Sequence, residues 1–194
     1  MAGARASSGA EVAAGSAWAV AAAVPDPELP MLTLADLGVL AEVAEDGDTV
    51  TAWLTPTYSG CPAVAEMAAD VDRRLRAAGF ADVRVRLRLD PPWSTDRITP
   101  EGRRRLAEAG IAPPRPGGAA AGGRTGGGST PLSLGPTRLA GAAGAASGDV
   151  PAPVTCPLCG GTDTEELSRF GSTACKALWR CRDCREPFER VKEI

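Results

Sequence analysis

Six cysteines and no histidine set the chemistry open to this 194-residue chain. Four of the six form two Cys-x-x-Cys pairs, Cys156/Cys159 and Cys181/Cys184, separated by 21 residues. Soft thiolates in this arrangement suit a tetrahedral ion, most simply Zn²⁺; rubredoxin-type iron or cluster ligation is the minor alternative. Each pair can form a tight knuckle whose backbone N–H groups stabilise thiolate charge, and Gly160 and Gly161 fit the turn after the first. Four protein ligands leave no position for a substrate, so the site reads as structural. Cys61 stands apart, in Thr55-Pro56-Thr57-Tyr58-Ser59-Gly60-Cys61-Pro62. It falls at or next to a helix N-cap, where unpaired N–H groups tend to acidify a thiol. Two readings fit it: a thiolate that holds a metal, a cluster or a sulfur atom, or a small half-buried residue closing a turn. Cys175 lies outside both knuckles. It is either core filler or an extra thiol and alternative ligand whose pKa Lys176 lowers.

The absence of histidine excludes Ser-His-Asp and Cys-His catalysis and any His-ligated metal. Asp26, Glu28 and Asp36 are the carboxylates that could act beside Cys61 as acid, base or ligand. In loops such groups more often cap or meet solvent.

The elements that position these residues follow from pattern. Glu11–Ala23 has apolar surface for a helix, and Val24 to Pro30, with three prolines, must be extended. Thr33–Leu37 reads as a short helical turn ended by Gly38. Val39–Val43 and Thr49–Leu54 read as a hairpin around Asp46-Gly47 that delivers the chain to the Cys61 loop. After Pro62, residues Val64, Met67, Ala68, Val71 and Leu75 recur at helical spacing, and Gly79 stops the helix. Asp82–Leu89 alternates: Val83, Val85, Leu87 and Leu89 make a half-buried face, and Arg84, Arg86 and Arg88 an exposed one. Trp93 either packs over the Cys61 loop or faces a partner. Thr99 caps a helix with Pro100 at its first position, weakened by Gly102 and ended by Gly110. In the C-terminal module, Phe170, Leu178, Trp179 and Phe188 are expected to supply the small core and one apolar face.

The fold class is thus α+β: a small sheet with packed helices, then a flexible linker and a zinc-ribbon-like module. The boundaries are 1–10 disordered, 11–113 the α+β domain, 114–150 a Gly/Ala-rich linker and 151–194 the ribbon. The linker is too poor in large apolar residues to offset its ordering entropy, and is expected to tether the modules without fixing their orientation. Net charge is −3, so there is no bulk electrostatic case for nucleic acid. The Ala-rich N-terminus lacks a basic start and is broken by Glu11, so neither signal peptide nor membrane span is expected. Cysteines gathered in pairs, not spread as a disulfide framework, point to a reducing, cytoplasmic setting.

Three groups of residues carry a resemblance. Asp26-Pro27-Glu28-Leu29-Pro30, Asp36-Leu37-Gly38-Val39 and the Thr55–Pro62 loop resemble the signature of a small iron–sulfur assembly family that includes SufT. Asp90-Pro91-Pro92-Trp93-Ser94-Thr95-Asp96, Ile98-Thr99-Pro100-Glu101-Gly102-Arg103 and Gly110-Ile111-Ala112-Pro113-Pro114 narrow it, as does the Phe170–Leu178 stretch. Together they resemble the PaaD (or PaaJ) family of accessory proteins of the phenylacetyl-CoA epoxidase system. The resemblance implies a place in aerobic phenylacetate breakdown, where a di-iron oxygenase with a flavin/iron–sulfur reductase epoxidises the ring of phenylacetyl-CoA. A member of this family would be a non-catalytic accessory that matures or repairs a metal centre, with oxygenase and reductase subunits as partners. The family's loop cysteine carries over to Cys61 and its knuckle cysteines to Cys156, Cys159, Cys181 and Cys184. Gly161 departs from an expected Ser, and the linker is longer than the family's.

Three functions compete on these grounds. The chain is an assembly factor with iron, a cluster or sulfur held transiently at Cys61; or a structural subunit bridging oxygenase components; or an enzyme using Asp26, Glu28, Asp36 and Cys61. One thiolate is too few for a stable cluster, so the first needs a homodimer or a second ligand such as Cys175.

Overall fold

A computed structural model describes residues 16–58, 60–115, 117 and 153–193. The expected disordered N-terminus, the start of the first helix and nearly all of the linker lie outside the described residues. Ser16 caps α1 (Ala17–Ala22), its hydroxyl accepting from the Ala19 N–H at 3.3 Å. The proline-punctuated segment follows, then β1 (Leu40–Asp46) and β2 (Thr49–Leu54), an antiparallel hairpin turned by Gly47 at φ +57°. Val50, Ala52 and Leu54 alternate into the core along β2, as a half-buried strand requires. Thr33–Leu37 is a series of turns, not a helix, because the Asp36 carboxylate takes the Thr33 N–H and hydroxyl at 3.0 and 2.9 Å.

α2 (Ala63–Ala77) buries Ala63, Met67, Val71 and Leu75 at a four-residue spacing. Ala63 takes the inward place expected for Val64. The helix ends in a Schellman turn: Phe80 N–H donates to the Leu75 carbonyl and Gly79 N–H to that of Arg76, with Gly79 at φ +103°. α2 crosses over so that β3 (Asp82–Leu87) pairs parallel with β2, giving sheet order β1-β2-β3. The apolar alternation of β3 outruns the core. Val83 is buried, but Leu87 and Leu89 are 52% and 58% exposed, because β3 is an edge strand whose far end nothing covers among the described residues. The arginine row pairs locally: Arg84 with Asp82, and Arg88 with Glu42. Arg88 also lies 5.3 Å from the Trp53 ring centroid.

α3 (Pro100–Glu108) starts as expected, with Thr99 accepting from the Gly102 N–H at 3.0 Å, and ends before Gly110 at φ +77°. Gly102 is there for space. A Cβ on it would stand 2.8 Å from the Asp36 carbonyl oxygen and 3.2 Å from the Ile98 Cγ2. Gly102→Ala gains about 1 kcal/mol in helix propensity. It loses about 1–3 kcal/mol to overpacking against backbone that cannot give way. The expected result is net destabilisation, read as a lower denaturation midpoint; a stabilised variant would show the α3 contact to be looser than this.

The C-terminal strands β5 (Thr164–Ser168), β6 (Lys176–Cys181) and β7 (Pro187–Val191) form an antiparallel ribbon, joined at its edge by β4 (Ile111–Ala112). β4 directly follows α3, yet pairs parallel with β7, Ile111 opposite Glu189 and Ala112 opposite Arg190. Val191 packs into the core of the first module. Arg115 closes the junction with an ion pair to Glu193 at 2.9 Å. The two modules are therefore docked through a shared sheet, whereas the linker composition suggests an unfixed orientation. The docking is carried by the segments on either side of the linker, where Ile111 and Val191 are buried in one core. Phe170 is 77% exposed beneath Lys192, whereas Phe188 is in the ribbon core as expected, joined there by Val154 and Ala112 with Trp179 packed against it. Among the described residues no helix is long and apolar enough to cross a membrane.

Candidate metal and thiol centres

The knuckles bring Cys156, Cys159, Cys181 and Cys184 together with all four Sγ atoms within 4.8 Å of one another. Tetrahedral ligation at a Zn–S length of about 2.3 Å puts sulfurs about 3.8 Å apart. The Cys156–Cys184 and Cys159–Cys181 separations are 3.9 and 3.6 Å. Local backbone explains the fit. Cys156 N–H donates to the Gly161 carbonyl and Gly160 N–H to that of Cys156, with Gly160 at φ +78°; Gly161 N–H points back to the Cys159 Sγ at 3.4 Å. Arg185, at φ +66°, turns the second knuckle. A Cβ on Gly161 would stand 2.1 Å from Asp183 Oδ2, the end of an exposed side chain, and 3.3 Å from the Cys159 Sγ. A serine there would need Asp183 to swing away. The donor set, distances and knuckle N–H groups all fit a four-thiolate metal.

Cys61 sits one residue before the N-cap of α2. Its N–H donates to the Tyr58 carbonyl, and its own carbonyl accepts from Val64, so the loop closes tightly onto the helix. The side chain is 6% exposed. Burial pushes the thiol pKa up, and the nearby Glu28 and Asp26 carboxylates add to this. The Ala63 and Val64 N–H groups pull it down but do not prevail. This reverses the acidified thiol expected from the helix start: the N–H groups are in place, and the surroundings are too apolar for them to win.

Cys61 lines a small cavity of about 20 Å³ together with Asp26, Glu28, Trp93 and, from the ribbon, Cys175. Met67, Leu37 and Val191 supply apolar wall. Asp26, 5% exposed, accepts the Glu28 and Leu29 N–H groups on one oxygen at 2.8 Å each. Its pKa is raised by burial in spite of those bonds. Glu28 is raised by burial and by Asp26 beside it. Trp93 packs over the Cys61 loop, its Nε1 donating to the Leu37 carbonyl at 2.9 Å. Asp36 is elsewhere, committed to Thr33 and to Arg105 at 3.0 Å, and has a structural part.

The ribbon carries Cys175 into this cavity on the loop before β6. Gly171 N–H donates to the Lys176 carbonyl, Lys176 N–H to that of Thr173, and the Lys192 N–H to that of Cys175. The Lys176 ammonium, almost fully buried, holds Glu189 at 2.8 Å, and Glu189 in turn takes the Ser172 N–H. This pair is not legible in the sequence, since its members lie on different strands. Lys176 does lower the Cys175 thiol, but burial of Cys175 outweighs it, and the net shift is upward.

Comparison with known proteins adds the following. Residues 18–87 match the family described as iron–sulfur cluster assembly protein, and residues 141–192 match the PaaD zinc beta ribbon domain. A protein of Escherichia coli (strain K12), named as the D component of 1,2-phenylacetyl-CoA epoxidase, is 40% identical over 177 residues, 91% of each chain. Two solved structures are each 28% identical over 46% of this chain. They are a DUF59 domain of Bacillus anthracis (87% of that chain, TM-score 0.43) and a conserved hypothetical protein of Thermotoga maritima (89%, 0.40).

Proposed function

As this chain belongs to the PaaD family of phenylacetyl-CoA epoxidase subunits, we propose that it is a non-catalytic accessory subunit of that multicomponent epoxidase, and that it assembles or maintains a metal or iron–sulfur centre of the oxygenase or its reductase. The matched assembly and ribbon domains support an accessory part. The observation that carries the reading is the placement of Cys61: a buried thiol beside two carboxylates in a small cavity. Such a group is poorly suited to attack a free substrate, because its thiolate is disfavoured and its cavity is too small for an organic molecule. It suits a ligand that holds cargo out of water and releases it when the loop or the ribbon moves.

In this reading Cys156, Cys159, Cys181 and Cys184 would hold zinc, which supplies folding energy and no chemistry. Cys61 is the transient ligand for iron, a cluster or sulfur, with the oxygenase and reductase subunits as partners. The test is Cys61→Ser, co-expressed with the other epoxidase subunits. The expected outcome is a folded protein that retains its ribbon metal, with iron content of the purified client lowered several-fold. Full client loading, with the variant still co-purifying, would replace this reading with that of a structural bridge. The exposed Leu87 and Leu89 on the β3 edge favour some role in docking under either outcome.

A further inference from the structure

We propose that Cys61 and Cys175, with the Asp26 carboxylate, form a second metal site that takes a single iron(II) ion and is complete only while the ribbon is docked. The choice of iron rests on the maturation reading above; the site itself rests on the cavity. Both thiols line one small cavity, one from each module, and both are more than nine-tenths buried. Asp26 lines it too. One of its oxygens is committed to the Glu28 and Leu29 N–H groups, which fixes the carboxylate, and the other carries no hydrogen bond among the described residues. Two thiolates and a carboxylate are a mixed soft and hard set that suits a borderline divalent ion.

Size narrows the cargo. A cavity of about 20 Å³ holds about one water-sized species, hence a bare ion and not a cluster. Charge balance is simple. The divalent ion enters, two S–H bonds break as two Fe–S bonds form, both protons leave to solvent, and no electron moves. Among the described residues three or more donor atoms already lie within 4.8 Å of one another only in the ribbon knuckles. The second site must therefore draw its donors in around the ion, and holds it more weakly than the knuckles hold theirs. That suits cargo that is to be handed on.

Docking makes the ribbon part of the site. The Lys176–Glu189 pair and the Lys192 N–H to Cys175 carbonyl bond hold the Cys175 loop, and Val191 seats it on the first module. Undocking removes one thiolate and opens the cavity together, which gives a route for release.

The test is anaerobic titration of the full-length, zinc-loaded chain with ferrous ion, followed by desalting and metal analysis, for wild type, Cys61→Ser, Cys175→Ser and the double variant. Wild type is expected to hold iron beside its zinc, and each single variant to keep zinc while its iron affinity falls by more than about a hundredfold, beyond the loss of an outer-shell partner. Retained zinc and an unchanged circular dichroism spectrum separate ligand loss from misfolding. Asp26→Asn, which preserves the capping oxygen, should weaken iron as well. Wild type holding no more iron than the double variant would overturn the site. So would Cys175→Ser binding as wild type does, and that result would leave Cys61 as a lone transient ligand. The client-loading assay with Cys61→Ser judges the maturation reading separately.

Discussion

Stripping the metal from the four-cysteine site with a strong chelator unfolds β5–β7 and uncovers Cys61 in the same step. The ribbon's own core is Val154, Phe188 and two of the ligand cysteines, with Ala112 from β4. So small a core does not offset the conformational entropy of about 40 ordered residues. A structural zinc in such a module contributes about 10–16 kcal/mol, which decides the balance. Without it the four thiols, held within 4.8 Å, have no ion to satisfy them and the knuckles open. The first module survives, because its core of Leu32, Leu34, Leu54, Met67, Val71, Leu75 and Leu106 needs only Val191 from the ribbon. Thiol labelling read by mass spectrometry checks this. Cys61 and Cys175 are expected to react slowly before chelation and rapidly after it, while the α-helical circular dichroism persists. Protection of Cys61 that survives chelation would show that the docked ribbon is not what buries it.

The parts legible in the sequence are those specified locally. Thr99-Pro100 and Gly110 bound α3 because a cap, a preset φ and a left-handed residue act within one turn. The spacing of Met67, Val71 and Leu75 gives α2 its buried face, and two Cys-x-x-Cys pairs foretell four thiols gathered within 4.8 Å. Gly102 has two sides: as a propensity it weakens the helix, and as a contact it lets α3 approach Asp36, which only the fold reveals. Alternation along 82–89 names the apolar face correctly but cannot say where the core stops, so Leu87 and Leu89 emerge exposed. Phe170 belongs in the ribbon core by its chemistry alone and stands outside it. The helix start argues for an acidic Cys61 thiol, while the desolvation that dominates it comes from segments distant in the chain. The meeting of Cys61 with Cys175 depends on β4, a two-residue strand with no pattern of its own. Nothing local encodes that pairing; it goes with the burial of Ile111 from the first module and Val191 from the ribbon in one core.

Trp93→Ala is expected to remove about 3–5 kcal/mol of stability, the range for truncating a large buried aromatic side chain. Trp93 is 5% exposed and packs between the Leu37 turn and the Cys61 cavity. Its Nε1 satisfies the Leu37 carbonyl at 2.9 Å, and that turn also presents the Asp36 carbonyl to the Thr99 N–H at the start of α3. Loss of the indole therefore loosens the seat of α3 as well as leaving a void. Domains of this size have about 5–15 kcal/mol in all, so the variant is left near the margin of folding. Trp93→Phe separates packing from hydrogen bonding. It keeps most of the ring contact and leaves the Leu37 carbonyl without its donor, for an expected loss of about 1–3 kcal/mol. Denaturant midpoints give both values, and thiol labelling gives the functional half of the argument. Cys61 should label faster in the Ala variant, where water gains a path to the cavity, and at near wild-type rate in the Phe variant, where the wall stands. Equal labelling in all three proteins would mean that Trp93 supports the fold without guarding the thiol. A loss below about 1 kcal/mol for Ala would instead contradict the burial from which the prediction starts.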